Sequence, residues 1–131
     1  MKKLTTEEVI AILEEAKQQG KRPNFSYMNL SGLDLSGLDF LRADLTDADL
    51  TDADLTDADL TNSNCHGADL TCAILTRADL TRAILTRADL TNANLDYVDL
   101  TDAILYYVDL TDANLTGADL TNANLEGAKG I

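Results

Sequence analysis

The feature that most constrains this chain is a five-residue repeat. From Phe25 to Leu125, every residue whose number is divisible by five is apolar, and it is leucine except at Phe25, Phe40 and Cys65. A small residue, most often alanine, usually stands two positions earlier, so the commonest unit reads A-D-L-T-x, with leucine at position i. A repeat this short and this regular indicates a solenoid, in which each unit packs on its neighbours.

A period of five fits neither a regular α-helix nor a flat β-strand. Five helical residues advance by about 500°, so the leucines would spread over every face of a helix. Five is also an odd number, so on a flat strand the leucines would alternate between the two faces. A strand that bends after each leucine resolves the conflict. Leucine at i and alanine at i−2 then face inward, the residue at i−1 faces outward, and residues i+1 and i+2 form a corner.

The A-(D/N)-L-x-x pattern over residues 24–128 resembles that of the pentapeptide repeat proteins. The resemblance implies an all-β solenoid, a right-handed quadrilateral β-helix with four units, or about 20 residues, in each coil. About five coils are expected, and at an inter-strand spacing of about 4.8 Å they form a rod roughly 25 Å long. The expected division is a capping helix and connector at 1–23, the β-helix at 24–128 and a tail at 129–131.

One amphipathic helix is predicted ahead of the repeat, from about Thr6 to Gln19. Thr5 and Glu8 have the spacing of a capping box, apolar residues follow at helical intervals, and Gly20 is a suitable stop. The apolar face of this helix fits the open end of the first coil, because solenoid ends need a cover. We interpret the helix as a structural cap, and a helix that binds a partner is the alternative.

The charge of the chain limits its partners. The net charge is −13 at pH 7, and the acidic residues concentrate in the repeat. Direct nucleic-acid binding is therefore not expected, whereas a basic protein would be attracted to the rod. The sequence has no apolar run of the ~18–20 residues that a membrane span needs, and it has no signal-peptide pattern. The expected location is the cytoplasm.

Catalysis, cofactors and metal binding are not expected. The interior should be filled by leucine and alanine, which leaves no cleft, and the single histidine forms no nucleophile–base pair. Cys65, His66 and Cys72 invite a metal hypothesis, but their spacing matches no standard zinc pattern and a fourth ligand is missing. Cys65 should face inward and Cys72 outward. The two thiols are therefore expected to be free, as suits a reducing compartment.

If residues 20 apart stack, the aspartates at i−1 form two acidic ladders. Like charges at this spacing repel, so we expect their carboxylates to accept hydrogen bonds from turn N–H groups. The alternative is a ladder that binds cations or a basic partner. One ladder comprises Asp39, Asp59, Asp79, Asp99 and Asp119, and the other comprises Asp49, Asp69, Asp89 and Asp109.

Among the outward apolar side chains that replace polar ones, four adjoin one another at one place. Ile84 and Ile104 occupy the outward i−1 position and should stack, with Tyr106 and Tyr107 beside Ile104. Adjoining exposed apolar groups often mark an interface, although scattered ones also occur without a function. These four residues are the candidate interaction patch.

The expected function is that of a non-enzymatic structural or protein-interaction module. The alternative is a DNA mimic that acts on DNA gyrase, as the resemblance to quinolone-resistance members of the family implies. This chain shares their motif and acidity, but it lacks the long loops and the C-terminal dimer module of several of them. It looks more like uncharacterised bacterial members such as those of cyanobacteria. A homodimer through the C-terminal coil is also expected, because no cap is evident there.

Overall fold

The computed structural model describes residues 1–131 as a rod with one helix at its N-terminal end. Helix α1 spans Thr6–Gln19. The backbone N–H of Glu8 donates to Thr5 Oγ1 at 3.1 Å, and that of Thr5 donates to Glu8 Oε1 at 3.0 Å. Gly20 ends the helix in a left-handed conformation with φ 65°. The predicted helix and both of its caps are therefore confirmed, and no helix has the length and hydropathy to span a bilayer.

The chain that follows α1 winds into four-sided coils. No side is long enough to form a strand of several residues; each contributes a single parallel bridge to the residue 20 positions ahead, such as Asp49 to Asp69. Because every bridge within the repeat joins residues 20 apart, four units complete one turn. The predicted right-handed quadrilateral β-helix is confirmed.

Backbone hydrogen bonds join successive coils and close every corner. On one side, Leu50 N donates to Asp69 O at 2.7 Å and Asp69 N donates to Ala48 O at 3.0 Å. At the corner, Ala53 N donates to Leu50 O at 3.0 Å, which closes a four-residue turn. Asp52, the third residue of that turn, has φ 60°, and every i+2 residue in the repeat has a positive φ. Asp, Asn and Gly tolerate this conformation best, which explains why they fill most of these corners.

The leucines and alanines of the repeat form one continuous core. Leu45, Ala48 and Leu50 are no more than 1% exposed, and the same holds for almost all equivalent positions up to Leu110. The predicted inward and outward positions are therefore confirmed. Near α1 the core contains Phe25 and Phe40, whose rings meet edge to face at 5.6 Å.

The N-terminal end of the core is covered by α1 and by the residues that precede it. Val9 and Leu4 are buried in the core, and Ile12 and Leu13 pack against it. Leu4 N also donates to Asn29 O at 2.9 Å, and Lys3 forms a parallel bridge with Asn29. This added backbone pairing was not predicted from the sequence, because four residues are too few to show a repeat.

The C-terminal end of the rod is open. The inward leucines of the last coil are only half-buried, namely Leu115, Leu120 and Leu125. The parallel ladder continues to Lys129, which bridges Asp109 and accepts a hydrogen bond from Leu110 N at 2.9 Å. Regular pairing therefore extends one residue past the boundary expected at 128.

Candidate functional site

The outward Asp and Asn residues at i−1 each hold the corner that follows them. Every one of them from 24 to 124 accepts a hydrogen bond from the backbone N–H two residues ahead, as Asp49 Oδ1 does from Thr51 N at 2.9 Å. At many corners the hydroxyl of the same Thr donates as well, as Thr91 Oγ1 does to Asp89 Oδ1 at 2.6 Å. These Asx turns give the side chains a structural role in the coil.

The same hydrogen bonds stabilise the charged form of the carboxylates. The hydroxyl and backbone N–H of Ser36 hold the pKa of Asp34 below its ordinary value of 3.8. The hydroxyls and N–H groups of the following threonines lower the pKa of Asp109 and Asp119 in the same way. Both acidic ladders lie in stacked parallel bridges. Hydrogen bonding to turns is thus one way in which the fold accommodates them.

Three isoleucines at i−1 forgo this turn bond. Ile74, Ile84 and Ile104 have no side-chain acceptor, so the N–H groups of Thr76, Thr86 and Tyr106 donate no Asx hydrogen bond. A hydrogen bond of this kind contributes about 0.5–1.5 kcal/mol to stability. Isoleucine therefore holds its corner less well than aspartate or asparagine does.

Two of these isoleucines lie together on one side of the rod. Ile84 and Ile104 face each other across a parallel bridge. Tyr106 follows on the same coil, and its Oη accepts a hydrogen bond from Asn124 Nδ2 at 3.0 Å. Tyr107 occupies the adjoining corner and is 56% exposed. We call this surface, formed by Ile84, Ile104, Tyr106 and Tyr107, the Ile/Tyr patch.

The aromatic part of the Ile/Tyr patch is held in place from two directions. Arg87 lies one coil earlier at the same corner, and its Cζ is 5.3 Å from the centroid of the Tyr107 ring. Gly127 lies one coil later, where a Cβ would come within 2.4 Å of the ring. Arg87 and Gly127 were not assigned to the patch from the sequence, although the 20-residue register could have placed them there.

Ile74 lies outside the Ile/Tyr patch. It bridges Asp54 and Asn94, two sides of the coil away from Ile84, and it is 40% exposed. The structure thus provides a third outward isoleucine with the same missing turn bond, on another side of the rod from the Ile/Tyr patch, and the aromatic residue in its column of corners is Tyr97, one coil later. This makes Ile74 a matched control for the patch.

The residues considered for metal binding are dispersed. Cys65 is buried, and this burial raises the pKa of its thiol to about 11, while the nearby Ser63 hydroxyl opposes the rise. Cys72 is exposed on the outside of the coil. No three His, Cys, Asp or Glu side chains converge in a way that could hold a metal ion.

The repeat is similar to a known family of sequences and to several solved structures. A family model described as pentapeptide repeats matches residues 24–62, 48–87 and 93–129, in eight copies. A pentapeptide repeat protein from the thylakoid lumen of Arabidopsis thaliana is 32% identical, with a TM-score of 0.50 over 75% of this chain and 65% of that one. One from the cyanobacterium Cyanothece is 27% identical, with a TM-score of 0.49 over 82% of this chain and 62% of that one. No curated protein matches.

A third solved structure is that of QnrB1, described as a plasmid-mediated fluoroquinolone resistance protein. It has a TM-score of 0.55 at 18% identity over 83% of this chain and 65% of that one, so the similarity concerns the fold. The chain spans less than two thirds of the length of each of these three structures.

Proposed function

The chain belongs to the pentapeptide repeat family, and on that premise we propose that it is a non-enzymatic interaction module. Its rigid acidic rod presents the Ile/Tyr patch to a protein partner. The observation that carries this proposal is the substitution of two stacked turn-forming positions by isoleucine, Ile84 and Ile104, beside two tyrosines that are held by their neighbours.

The chemistry of the Ile/Tyr patch suits a protein interface. Tyrosine and arginine are enriched among the residues that contribute most to binding. Tyr106 is already hydrogen-bonded by Asn124, and the Tyr107 ring already lies between Arg87 and Gly127. Partner binding would therefore restrict the two side chains little further. A preorganised side chain loses less conformational entropy on binding, which strengthens the complex.

The surrounding charge determines what kind of partner fits. The rod is strongly acidic, with a net charge of −13 for the whole chain. A partner with an apolar contact region and a basic rim would be attracted by the rod and would then bind the Ile/Tyr patch. The association rate should therefore fall as the salt concentration rises.

A pull-down with matched variants tests the proposed surface. The bait is the full chain, and the variants are Ile84→Asn with Ile104→Asn, Tyr107→Asn, and the control Ile74→Asn. Asparagine restores the Asx acceptor at i−1 and tolerates the positive φ of residue 107, so the variants should fold. We expect a partner that is retained by the parent and by Ile74→Asn but weakened at least about tenfold by the patch variants. Equal retention by all four baits would contradict the proposal.

The gyrase alternative is separated from this proposal by a direct assay. A DNA mimic should inhibit supercoiling by purified gyrase. This inhibition should be lost when the acidic ladders are neutralised, and it should be kept when the Ile/Tyr patch is substituted. The Arg77–Asp57 salt bridge at 2.9 Å and the isoleucines at i−1 both interrupt the acidic surface, which favours the interaction module. Inhibition that persists in the patch variants would favour the mimic instead.

We also propose that the C-terminal coil of the rod binds the same coil of a second copy of this chain. The last coil leaves Leu115, Leu120 and Leu125 half-buried, and a two-fold contact of two such coils would cover them. Because the rods are acidic, this homodimer should strengthen with salt. Light scattering at tens of micromolar protein, at low and at high salt, tests it. A monomer under both conditions would contradict the homodimer.

A further inference from the structure

A cavity of about 360 Å³ lies between α1 and the first coils of the rod. Its apolar lining includes Ile10 and Leu13 from the helix and Leu38 and Leu41 from the rod. Leu41 stands at i+1, where threonine or serine is usual, and it is 43% exposed. Leu38 stands at i−2, where alanine is usual. Two departures from the repeat therefore meet in the same cavity.

The rim of the cavity is basic, unlike the rest of the rod. Four cationic side chains line it, from Lys17, Lys21, Arg22 and Arg42. None of the four takes part in a salt bridge, and the Arg42 guanidinium makes no hydrogen bond. Each of the other three arginines of the repeat contacts the corner residue of an adjacent coil. For example, Arg82 Nε donates to Asn62 Oδ1 at 3.2 Å.

The acidic residues at the cavity offset this charge only in part. Glu14 and Asp39 also line it. Asp39 Oδ1 accepts the Leu41 N–H at 2.9 Å, so that oxygen is used by its own Asx turn. Arg22 Nε donates to the carbonyl oxygen of Arg42, which ties the connector after α1 to the rod corner beside the cavity. The cations are thus gathered by α1, the connector and the corner at residue 42.

We propose that this cavity binds a medium-chain carboxylate, with its acidic head among the four cations and its apolar tail against the leucines. Arginine pairs with carboxylates through two parallel hydrogen bonds, and lysine adds a point charge. The volume lies at the lower end of the roughly 300–1,000 Å³ typical of small-molecule sites. A specific protein interface buries about 800 Å² on each partner, which this cavity does not offer. The proposal is independent of the Ile/Tyr patch.

Titration of the full chain with sodium decanoate tests this site. Binding is followed by calorimetry and by the backbone amide spectrum, and we expect saturation at one decanoate per chain with the largest shifts near Leu41 and Lys17. Acetate carries the same head without a tail, and decyltrimethylammonium carries the same tail with the opposite charge. Both should bind at least about tenfold more weakly than decanoate, because acetate lacks the apolar tail and decyltrimethylammonium lacks the anionic head.

Matched variants locate the binding in the cavity. Arg42→Asn and Arg82→Asn make the same change at the same corner two coils apart, and both parent residues have positive φ, 62° and 58°. We expect Arg42→Asn to weaken decanoate binding about tenfold and Arg82→Asn to leave it unchanged. Leu41→Thr, which introduces the usual residue at an exposed position, should also weaken it. Any of three results would overturn the proposal: no saturable decanoate binding, equal binding of decyltrimethylammonium, or binding of an acidic peptide in place of decanoate.

Discussion

The ring of Tyr97 lies over Gly117, one coil further along the same corner. A Cβ on Gly117 would meet two carbons of that ring at 2.6 Å. Gly37 belongs to the same column of corner residues and has nearly the same backbone, with φ 67° against 68° for Gly117, but a Cβ there would meet nothing within 4 Å. The two glycines therefore share a left-handed conformation, but only Gly117 has an aromatic ring, that of Tyr97, packed against it.

We expect Gly117→Ala to destabilise the rod more than Gly37→Ala does. Both alanines adopt a positive φ, at a cost of about 1–2 kcal/mol, but only the one at 117 must also displace the Tyr97 ring. The additional loss should be about 1 kcal/mol in the free energy of unfolding, measured in urea. In the background of Tyr97→Asn, which removes the ring, Gly117→Ala should cost no more than Gly37→Ala. Equal costs of the two single changes would show that the ring moves away freely.

The sequence predicted the parts of the fold that repeat. Leucine every five residues requires a bent, coiled chain, and the Thr5–Glu8 capping box together with Gly20 defines the helix because caps are local. It did not predict the contact of Tyr97 with Gly117, because that contact depends on a side-chain rotamer above a corner 20 residues away.

The candidate sites illustrate the same limit. Ile84 and Ile104 could be paired from the 20-residue register, and the structure places them in one bridge. The cavity under α1 could not be inferred, because it depends on how the helix sits on the first coils and on the path of the connector through Arg22. Register is fixed by the repeat, whereas the docking of the helix is fixed by tertiary packing.

We expect Leu80→Asp to abolish cooperative folding of the rod. Leu80 is 1% exposed in the central part of the core, and a buried carboxylate without a partner costs several kcal/mol. The control is Asp52→Asn, at an exposed corner with φ 60° that asparagine tolerates, and it should change the stability by less than about 0.5 kcal/mol. Thermal unfolding followed by circular dichroism measures both. Equal melting temperatures would contradict the assignment of inward and outward positions.

The covering role of α1 is tested by two substitutions in the helix. Val9 is fully buried against the first coil, whereas Ala11 is exposed on the opposite face. Val9→Glu should lower the melting temperature strongly and promote association of chains, because it lifts the helix from the apolar end of the rod. Ala11→Glu should leave both properties nearly unchanged, since glutamate is a good helix former. Size-exclusion chromatography with light scattering measures the association, and monomers of equal stability would show that the helix is dispensable as a cover.

The stability of the rod should fall at alkaline pH because of one thiol. Burial raises the pKa of Cys65 from its ordinary value of 9.0 to about 11, so the unfolded thiol ionises before the folded one. The contribution is fully present below pH 9 and is lost as the pH rises toward 11, by about 1.4 kcal/mol for each pH unit. Urea unfolding between pH 8 and 10.5 should show this loss in the parent and in Cys72→Ser, whose substituted thiol is exposed, but not in Cys65→Ala. A thiol reagent at pH 8 should correspondingly modify Cys72 in the native rod and reach Cys65 only after unfolding. Parallel pH profiles for the parent and Cys65→Ala would show that the Cys65 thiol does not govern the alkaline loss.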